Sequence, residues 1–208
     1  MTFEPFLRGA RVVSGAISSP LVAERWDAPS VLADQTVAGL AGHLARSGVW
    51  VVLEYLDQPV PLGPADCGSA AAYYSAAAGG LSEDDHRAIR RRGADIGGRG
   101  HAAVTEEVAA RLAELEARLP GEDPDRLVPV IGGAVMRLED YLETRVVEQV
   151  VHLLDLAASV GCEPWPIPED CQATAARVGL EIGLRRFGPE AVIRALYRDT
   201  GSDVLPVI

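Results

Sequence analysis

The chain has 208 residues, enough for one domain of ordinary size with a real hydrophobic core. Hydrophobic residues make up 48% and charged residues 24% of the sequence, which is typical of a folded globular protein and excludes a disordered or low-complexity chain. A net charge of −11 repels phosphate backbones and anionic membrane surfaces, so we expect no nucleic-acid partner and no membrane partner.

The content of cysteine and basic residues bears on the cellular compartment. The cysteines Cys67, Cys162 and Cys171 form no closely spaced pair, which argues against a disulfide framework and against a cysteine-built zinc site. The N-terminal residues lack the basic start and apolar run of a signal peptide. All 19 basic residues are arginine and asparagine is absent, a bias typical of a GC-rich bacterial source. We therefore expect a cytoplasmic protein, a monomer or homodimer that binds small molecules.

Long segments rich in Ala, Leu, Val, Glu and Arg, with only 5% aromatic residues, predict an all-α protein. A third helix opens at a capping box of Ser82 and Asp85, is weakened by four glycines between residues 93 and 100, and stops at Pro120. Extended segments are predicted at 127–131 and at the tail 204–208. The other helices are predicted over residues 2–25, 36–56, 139–160, 169–187 and 189–198.

The helix predicted over residues 139–160 has a narrow polar face. At about 100° per residue, its polar side chains fall in one stripe. The stripe consists of Tyr141, Arg145, Glu148, His152, Asp155 and Ser159. Because apolar residues occupy nearly all the rest of this helix, we expect the stripe to lie inside a bundle, where each ionisable group must be paired or hold a metal.

Two residues of this stripe have the spacing of metal ligands. Glu148 and His152 present a carboxylate and an imidazole one turn apart, within reach of a single ion. His43 is the only other histidine in an apolar setting, and it shares a face of its predicted helix with Trp50. We predict that these three residues hold a divalent metal ion. The alternative is a buried Arg145–Glu148 ion pair with two unrelated core histidines.

Other metal patterns fit this sequence less well. It contains no HExxH motif of the zincin type, and a di-iron bundle would need two Glu-x-x-His motifs with further glutamates. His86 and His101 lie among charged and glycine residues, where we expect them to be solvated. A single mononuclear ion is therefore predicted.

Three stretches occur here in a characteristic order: RWDAPSVLADQTVAGLAGHLAR (25–46), AAAYYSAA (71–78) and LEDYLETRVVEQVVHLLDLA (138–157). They resemble the DinB-like metal enzymes, and within them the N-terminal domain of mycothiol-dependent maleylpyruvate isomerase and its actinobacterial relatives. The resemblance implies a four-helix bundle over residues 1–163, with a short helical extension over 164–208 packed on it. It also implies that a divalent ion, usually zinc, is held by His43, Glu148 and His152.

The resemblance further implies a reaction class. Such enzymes use a low-molecular-weight thiol, here mycothiol or a similar compound, together with a small electrophile. We therefore expect a metal-dependent thiol transferase or a maleylpyruvate isomerase-like enzyme. The isomerase has a larger second domain that contributes a functional arginine, and no residue after Trp165 is assigned that role. The alternative is a non-catalytic, metal-binding stress-response bundle.

Residues next to the predicted ligands have expected roles. Arg145 is predicted as the catalytic residue, which either orients Glu148 or holds a substrate carboxylate. Trp50 and Tyr141 are predicted to border the pocket for the thiol. Asp155 is expected either to hold a histidine N–H or to form a cap or salt bridge.

Overall fold

The computed structural model describes residues 3–77 and 82–198, which are mainly helical. No helix in these two ranges is long and apolar enough to cross a membrane. The helices and strands are α1 (Glu4–Ile17), α2 (Pro20–Glu24), α3 (Val37–Ala45), a π-helical turn (Arg46–Trp50), α4 (Val51–Leu56), α5 (Ala70–Ala77), α6 (Glu83–Gly97), α7 (His101–Arg118), a 3-10 turn (Leu119–Gly121), β1 (Leu127–Pro129), a 3-10 turn (Ile131–Gly133), β2 (Val135–Arg137), α8 (Leu138–Val160), α9 (Glu169–Phe187) and α10 (Pro189–Tyr197).

Four helical segments form the central bundle. Helix α1 packs against α7 and α8, and α3 with the π-helical turn packs against the same two helices. Each buries an apolar face, and full burial of one large apolar side chain contributes about 1.5–3 kcal/mol. The largest fully buried side chains include Phe6, Ile17, Leu40, Leu44, Leu115 and Leu153. The predicted all-α, DinB-like fold class is thus confirmed.

The prediction of one helix over residues 2–25 is wrong, because the helix is interrupted at Ser19. This residue has an extended backbone, and its side chain accepts a hydrogen bond from Val22 N, so it caps a new helix. Pro20 follows at the first position of α2, where its missing N–H costs nothing.

The third predicted helix is also two helices. The capping box of Ser82 and Asp85 is confirmed at the start of α6. Gly100 then takes a positive φ of 91°, which ends the helical path before α7 begins. Between α7 and α8, the predicted extended segment forms β1, whose antiparallel partner β2 was not predicted. The tail at 204–208 lies outside the described residues.

The last two helices begin and end within one residue of their predicted bounds, and α9 packs on the bundle. Helix α9 contacts α8, α5 and α1, while α10 packs against α9. The Cys171 thiol donates a hydrogen bond to Pro5 O over 3.1 Å, and Arg177 pairs with Glu143 of α8 at 2.6 Å. The division into a bundle and an extension at residues 163 and 164 stays a prediction.

Glycines bring α6 unusually close to α3. A Cβ atom added at Gly42 would lie 2.3 Å from the carbonyl oxygen of Gly93, and one added at Gly97 would lie 2.2 Å from Ala38 O. Such distances are shorter than any van der Waals contact, so only glycine fits at these positions. This packing sets α6 beside His43, whose Cβ lies 3.1 Å from the ideal Cβ position at Gly93.

We predict that Gly42→Ala lowers the free energy of unfolding by about 1–3 kcal/mol, because the new methyl group forces α3 and α6 apart. Gly15→Ala is the matched control, since Gly15 also lies within a helix and has open space around it. There the substitution should stabilise the protein by about 0.5–1 kcal/mol. Urea unfolding of both variants measures the difference, and equal effects would contradict the close packing.

Candidate metal centre

The three predicted ligands converge from two helices. His43 comes from α3, and Glu148 and His152 come from successive turns of α8. One ligand atom from each residue lies within 4.8 Å of the other two. Glu148 Oε2 is 3.2 Å from His43 Nε2 and 3.6 Å from His152 Nε2. The alternative of two unrelated histidines is therefore wrong, since both rings face the same carboxylate oxygen.

The carboxylate of Glu148 is held in its charged form. Burial raises its pKa, but hydrogen bonds with His152 and His43 and the charge of Arg145 hold the pKa well below its usual range. Tyr74 adds a further contact, because its hydroxyl lies 3.2 Å from Glu148 Oε1 and 3.0 Å from the carbonyl oxygen of Thr144. An ionised carboxylate with nearby imidazoles is a suitable donor set for a cation.

Asp155 orients His152. Its carboxylate oxygen lies 3.0 Å from His152 Nδ1, which leaves Nε2 facing Glu148. A carboxylate behind a histidine in this way fixes the ring and strengthens it as a ligand. Burial lowers the pKa of His152, but its hydrogen bonds with Asp155 and Glu148 outweigh burial and raise the pKa to about 9. His152 therefore carries a proton at neutral pH when no cation is bound.

Arg145 does not form the direct ion pair with Glu148 that the alternative required. Its Nε donates to Thr144 Oγ1 over 2.9 Å and its Nη1 donates to Ser47 O over 3.3 Å. The guanidinium also lies over the ring of Tyr141, 4.9 Å from the centroid. Within residues 3–77 and 82–198, no carboxylate oxygen lies within 4 Å of Arg145. Its positive charge lies beside the predicted metal ligands and helps to keep Glu148 ionised without a direct ion pair.

A cavity of about 250 Å³ opens directly onto the ligands. His43, Glu148 and His152 form part of its wall together with Arg145. Tyrosines line much of the remaining wall, and only Tyr141 among them was predicted to border the pocket. They are Tyr55, Tyr73, Tyr74 and Tyr141. Helix α6 adds a wall that includes His86 and Arg92. An open space beside three ligands gives a small molecule access to a bound ion.

The structure does not place Trp50 in this cavity. In a regular α-helix, Trp50 would lie on the same face as His43 and Ser47, and this shared face is the reason that Trp50 was predicted to border the pocket. The π-helical turn contains an extra residue per turn, so the face continues instead through Val51 and Tyr55. Trp50 is buried in the apolar core and has no place in the pocket.

Two histidines and one carboxylate form a fitting donor set for a divalent ion. Imidazole nitrogen and carboxylate oxygen both bind zinc, and three protein ligands beside an open cavity are typical of catalytic rather than structural zinc. The same donors also accept nickel, cobalt or manganese. The chemistry of these residues is therefore compatible with a resident cation.

The comparisons with known proteins identify one family. The family model described as mycothiol maleylpyruvate isomerase N-terminal domain matches residues 7–157, which include all three predicted ligands. No curated protein and no solved structure matches this chain.

Because His152 is protonated below about pH 9, we predict that zinc binding at pH 7 releases close to one proton from it. The apparent zinc affinity should rise with pH and level off above this pKa, since cation and proton compete for Nε2. Calorimetry in buffers of different ionisation enthalpy counts the protons. Asp155→Asn should lower the number released at pH 7, and Glu143→Gln, on the same helix, should not. Zinc binding without proton release would contradict the charged state of His152.

Proposed function

The chain belongs to the mycothiol maleylpyruvate isomerase N-terminal domain family, and we propose that it is a divalent-metal-dependent enzyme in which a small thiol attacks a small electrophile. One observation carries the proposal. Two imidazoles and one carboxylate meet at the wall of a cavity instead of in a closed core. An ion with a purely structural role does not need to be reached by a small molecule through a cavity. The geometry therefore favours catalysis over a non-catalytic stress-response bundle.

His43, Glu148 and His152 would hold the cation, which we propose to be zinc. When bound, a divalent cation lowers the pKa of a coordinated thiol, which is otherwise mostly protonated at neutral pH, and so supplies a thiolate. Glu148 contributes a negative charge to this ligand set, and Asp155 holds the ring of His152 in place. Tyr74 fixes the other oxygen of Glu148. We propose mycothiol as the thiol because the family is named for it.

The reaction we propose begins when the thiolate sulfur forms a bond to an electrophilic carbon. If a leaving group departs with its electron pair, the product is an S-conjugate, as in a transferase. If the carbon belongs to an activated double bond, addition followed by elimination of the same thiolate yields an isomer. Arg145 would guide the substrate in either case, because its guanidinium faces the cavity without a carboxylate partner among the described residues.

Several finer properties stay proposals. We propose a cytoplasmic location from the composition, and a monomeric or homodimeric state. We also propose an actinobacterial origin, which rests on the arginine-only basic residues and on the family name.

We predict that the zinc-loaded chain consumes a low-molecular-weight thiol in the presence of some member of a panel of activated alkenes, quinones and epoxides. Removal of zinc with a chelator should abolish this turnover, and zinc addition should restore it. Glu148→Gln keeps the size of the side chain but removes its charge, so zinc affinity and turnover should fall together.

Glu139→Gln removes a charge on the same helix away from the ligands and serves as the control. Thiol loss is followed with a thiol reagent and zinc content by metal analysis. A wild-type chain that binds zinc yet consumes no thiol with any electrophile would contradict the enzyme and favour the structural bundle.

A further inference from the structure

Gln149 is a fully buried polar side chain of α8 that does not line the cavity. It is 0% exposed and follows the predicted ligand Glu148 directly in the chain. Its amide Nε2 donates two hydrogen bonds, to Gly48 O over 2.7 Å and to Phe6 O over 3.2 Å. Because both of these neighbours are acceptors, they determine which end of the amide is the nitrogen. Removal of this nitrogen would leave two main-chain carbonyls without a donor.

Two glycines form a slot for this side chain. A Cβ atom added at Gly9 of α1 would lie 2.0 Å from Gln149 Oε1, and one added at Gly48 would lie 3.2 Å from Gln149 Cγ. The oxygen Oε1 is buried and has no hydrogen-bond partner in the described part of the chain. An apolar side chain of the same size would avoid this unpaired oxygen, so burial alone does not explain a glutamine here. Its two N–H donors do.

The carbonyl group of Gly48 belongs to the π-helical turn Arg46–Trp50. At the end of this turn, Val51 N donates to Arg46 O, which is five residues back instead of four. Where a helix changes from four-residue to five-residue hydrogen bonding, its carbonyl oxygens become accessible to donors from outside the helix. The bond from Gln149 therefore reaches the helix at the point where its path is irregular.

A second donor of α8 binds the neighbouring carbonyl of the same turn. Arg145 Nη1 donates to Ser47 O over 3.3 Å, beside the bond from Gln149 to Gly48 O. Arg145 and Gln149 are four residues apart, so they lie on one face of α8. Two consecutive carbonyls of the π-helical turn are thus held by one face of another helix.

The π-helical turn decides which side chains face the cavity. Four residues at a spacing of four line it, namely His43, Ser47, Val51 and Tyr55. In a regular α-helix each four-residue step advances about 40° beyond a full turn, so Tyr55 would lie about 120° away from His43. The wider turn removes part of this drift. It also keeps Trp50, which is 6% exposed, in the apolar core.

Arg145 depends on this turn from two sides. Its guanidinium is held by Ser47 O, and it lies over the ring of Tyr141, 4.9 Å from the centroid. That ring packs in turn against Tyr55, with 5.3 Å between the two centroids. If the turn rewound to a regular α-helix, Ser47 O and the Tyr55 ring would both move, and Arg145 would lose both supports.

We propose that Gln149 is a positioning residue of the cavity. By binding Gly48 O it holds the π-helical turn, and the turn sets Tyr55 and Arg145 relative to the predicted metal ligands. Gln149 itself touches neither the ion nor the substrate. The proposal rests on the proposed function only for its effect on turnover, because the effect on the helix involves no metal, thiol or electrophile.

The test is fluorine NMR on the full, chelator-treated chain labelled with 5-fluorotryptophan. The chain has three tryptophans, and Trp50→Phe assigns the resonance of Trp50. Gln149→Met keeps the length of the side chain and removes both N–H donors. We expect it to move the Trp50 resonance and to give it a shift between light and heavy water that the wild type lacks, because rewinding brings Trp50 toward the cavity. The resonances of Trp26 and Trp165 should stay in place.

Gln172→Met is the matched control. The amide Nε2 of Gln172 also donates to a main-chain carbonyl, Ile167 O over 2.9 Å, but this bond lies at the start of α9. The Trp50 resonance should not move in this variant.

Gly48→Ala disturbs the same contact from the side of the turn. Its new Cβ would lie 3.1 Å from Leu44 Cδ1 and 3.2 Å from Gln149 Cγ, so these groups must shift slightly. It should move the Trp50 resonance in the same direction as Gln149→Met by a smaller amount. This variant decides the test if Gln149→Met does not fold.

Three results would overturn the proposal. A lower melting temperature of Gln149→Met with an unmoved Trp50 resonance would show that Gln149 only ties α8 to α1 through Phe6 O. Movement of all three tryptophan resonances would show a general loss of packing. An unmoved resonance in Gly48→Ala, where Gln149→Met does not fold, would have the same meaning as the first result.

Zinc titration and turnover test the link with the proposed function. Since His43 precedes the turn and the other predicted ligands lie on α8, zinc affinity of Gln149→Met should equal that of wild type. The KM for the electrophile should rise at least about tenfold with little change in kcat. An unchanged KM beside a moved Trp50 resonance contradicts the positioning role. A wild-type chain without zinc binding or thiol turnover contradicts the proposed function instead, and the NMR result still decides whether Gln149 holds the turn.

Discussion

The charged carboxylate of Glu148 lies inside a helical bundle, and this burial constrains everything around it. A buried charge is costly unless opposite charge and hydrogen bonds surround it. Helix α3 supplies His43, α5 supplies Tyr74, and α8 supplies His152 and Arg145. Three helices must therefore keep their relative positions for Glu148 to stay ionised. A divalent cation between the imidazoles and the carboxylate would add further positive charge at the same point.

Much of the centre could be predicted from sequence because it lies on a long, regular helix. Helix α8 spans 23 residues, and its period places Glu148 and His152 on one stripe whatever packs against them. Helix α3, which holds His43, lies within the helix predicted over residues 36–56, and Thr36 caps its start. Periodicity alone does not show whether α3 and α8 contact each other. Tertiary structure was required to show that both histidines face the carboxylate of Glu148.

The walls of the cavity could not be predicted, since they depend on irregular or short elements. Tyr73 and Tyr74 lie on the eight-residue helix α5, whose alanine-rich sequence has no polar stripe to mark a face. The π-helical turn shifts the cavity face from Trp50 to Val51, and no residue type specifies such a turn. Helix α6 lies beside the site because glycines such as Gly93 let its backbone pack closely against α3. A hydrophobic pattern in the sequence does not predict such backbone contacts.

We propose that His43, Glu148 and His152 bind one divalent ion in an open site. X-ray absorption at the zinc edge, on the zinc-loaded full chain without added thiol, tests it most directly. We expect nitrogen and oxygen neighbours of the zinc ion at about 2.0–2.2 Å, with outer-shell scattering from two imidazole rings. A spectrum dominated by sulfur at about 2.3 Å, or one without imidazole scattering, would contradict the claim because zinc would then bind elsewhere.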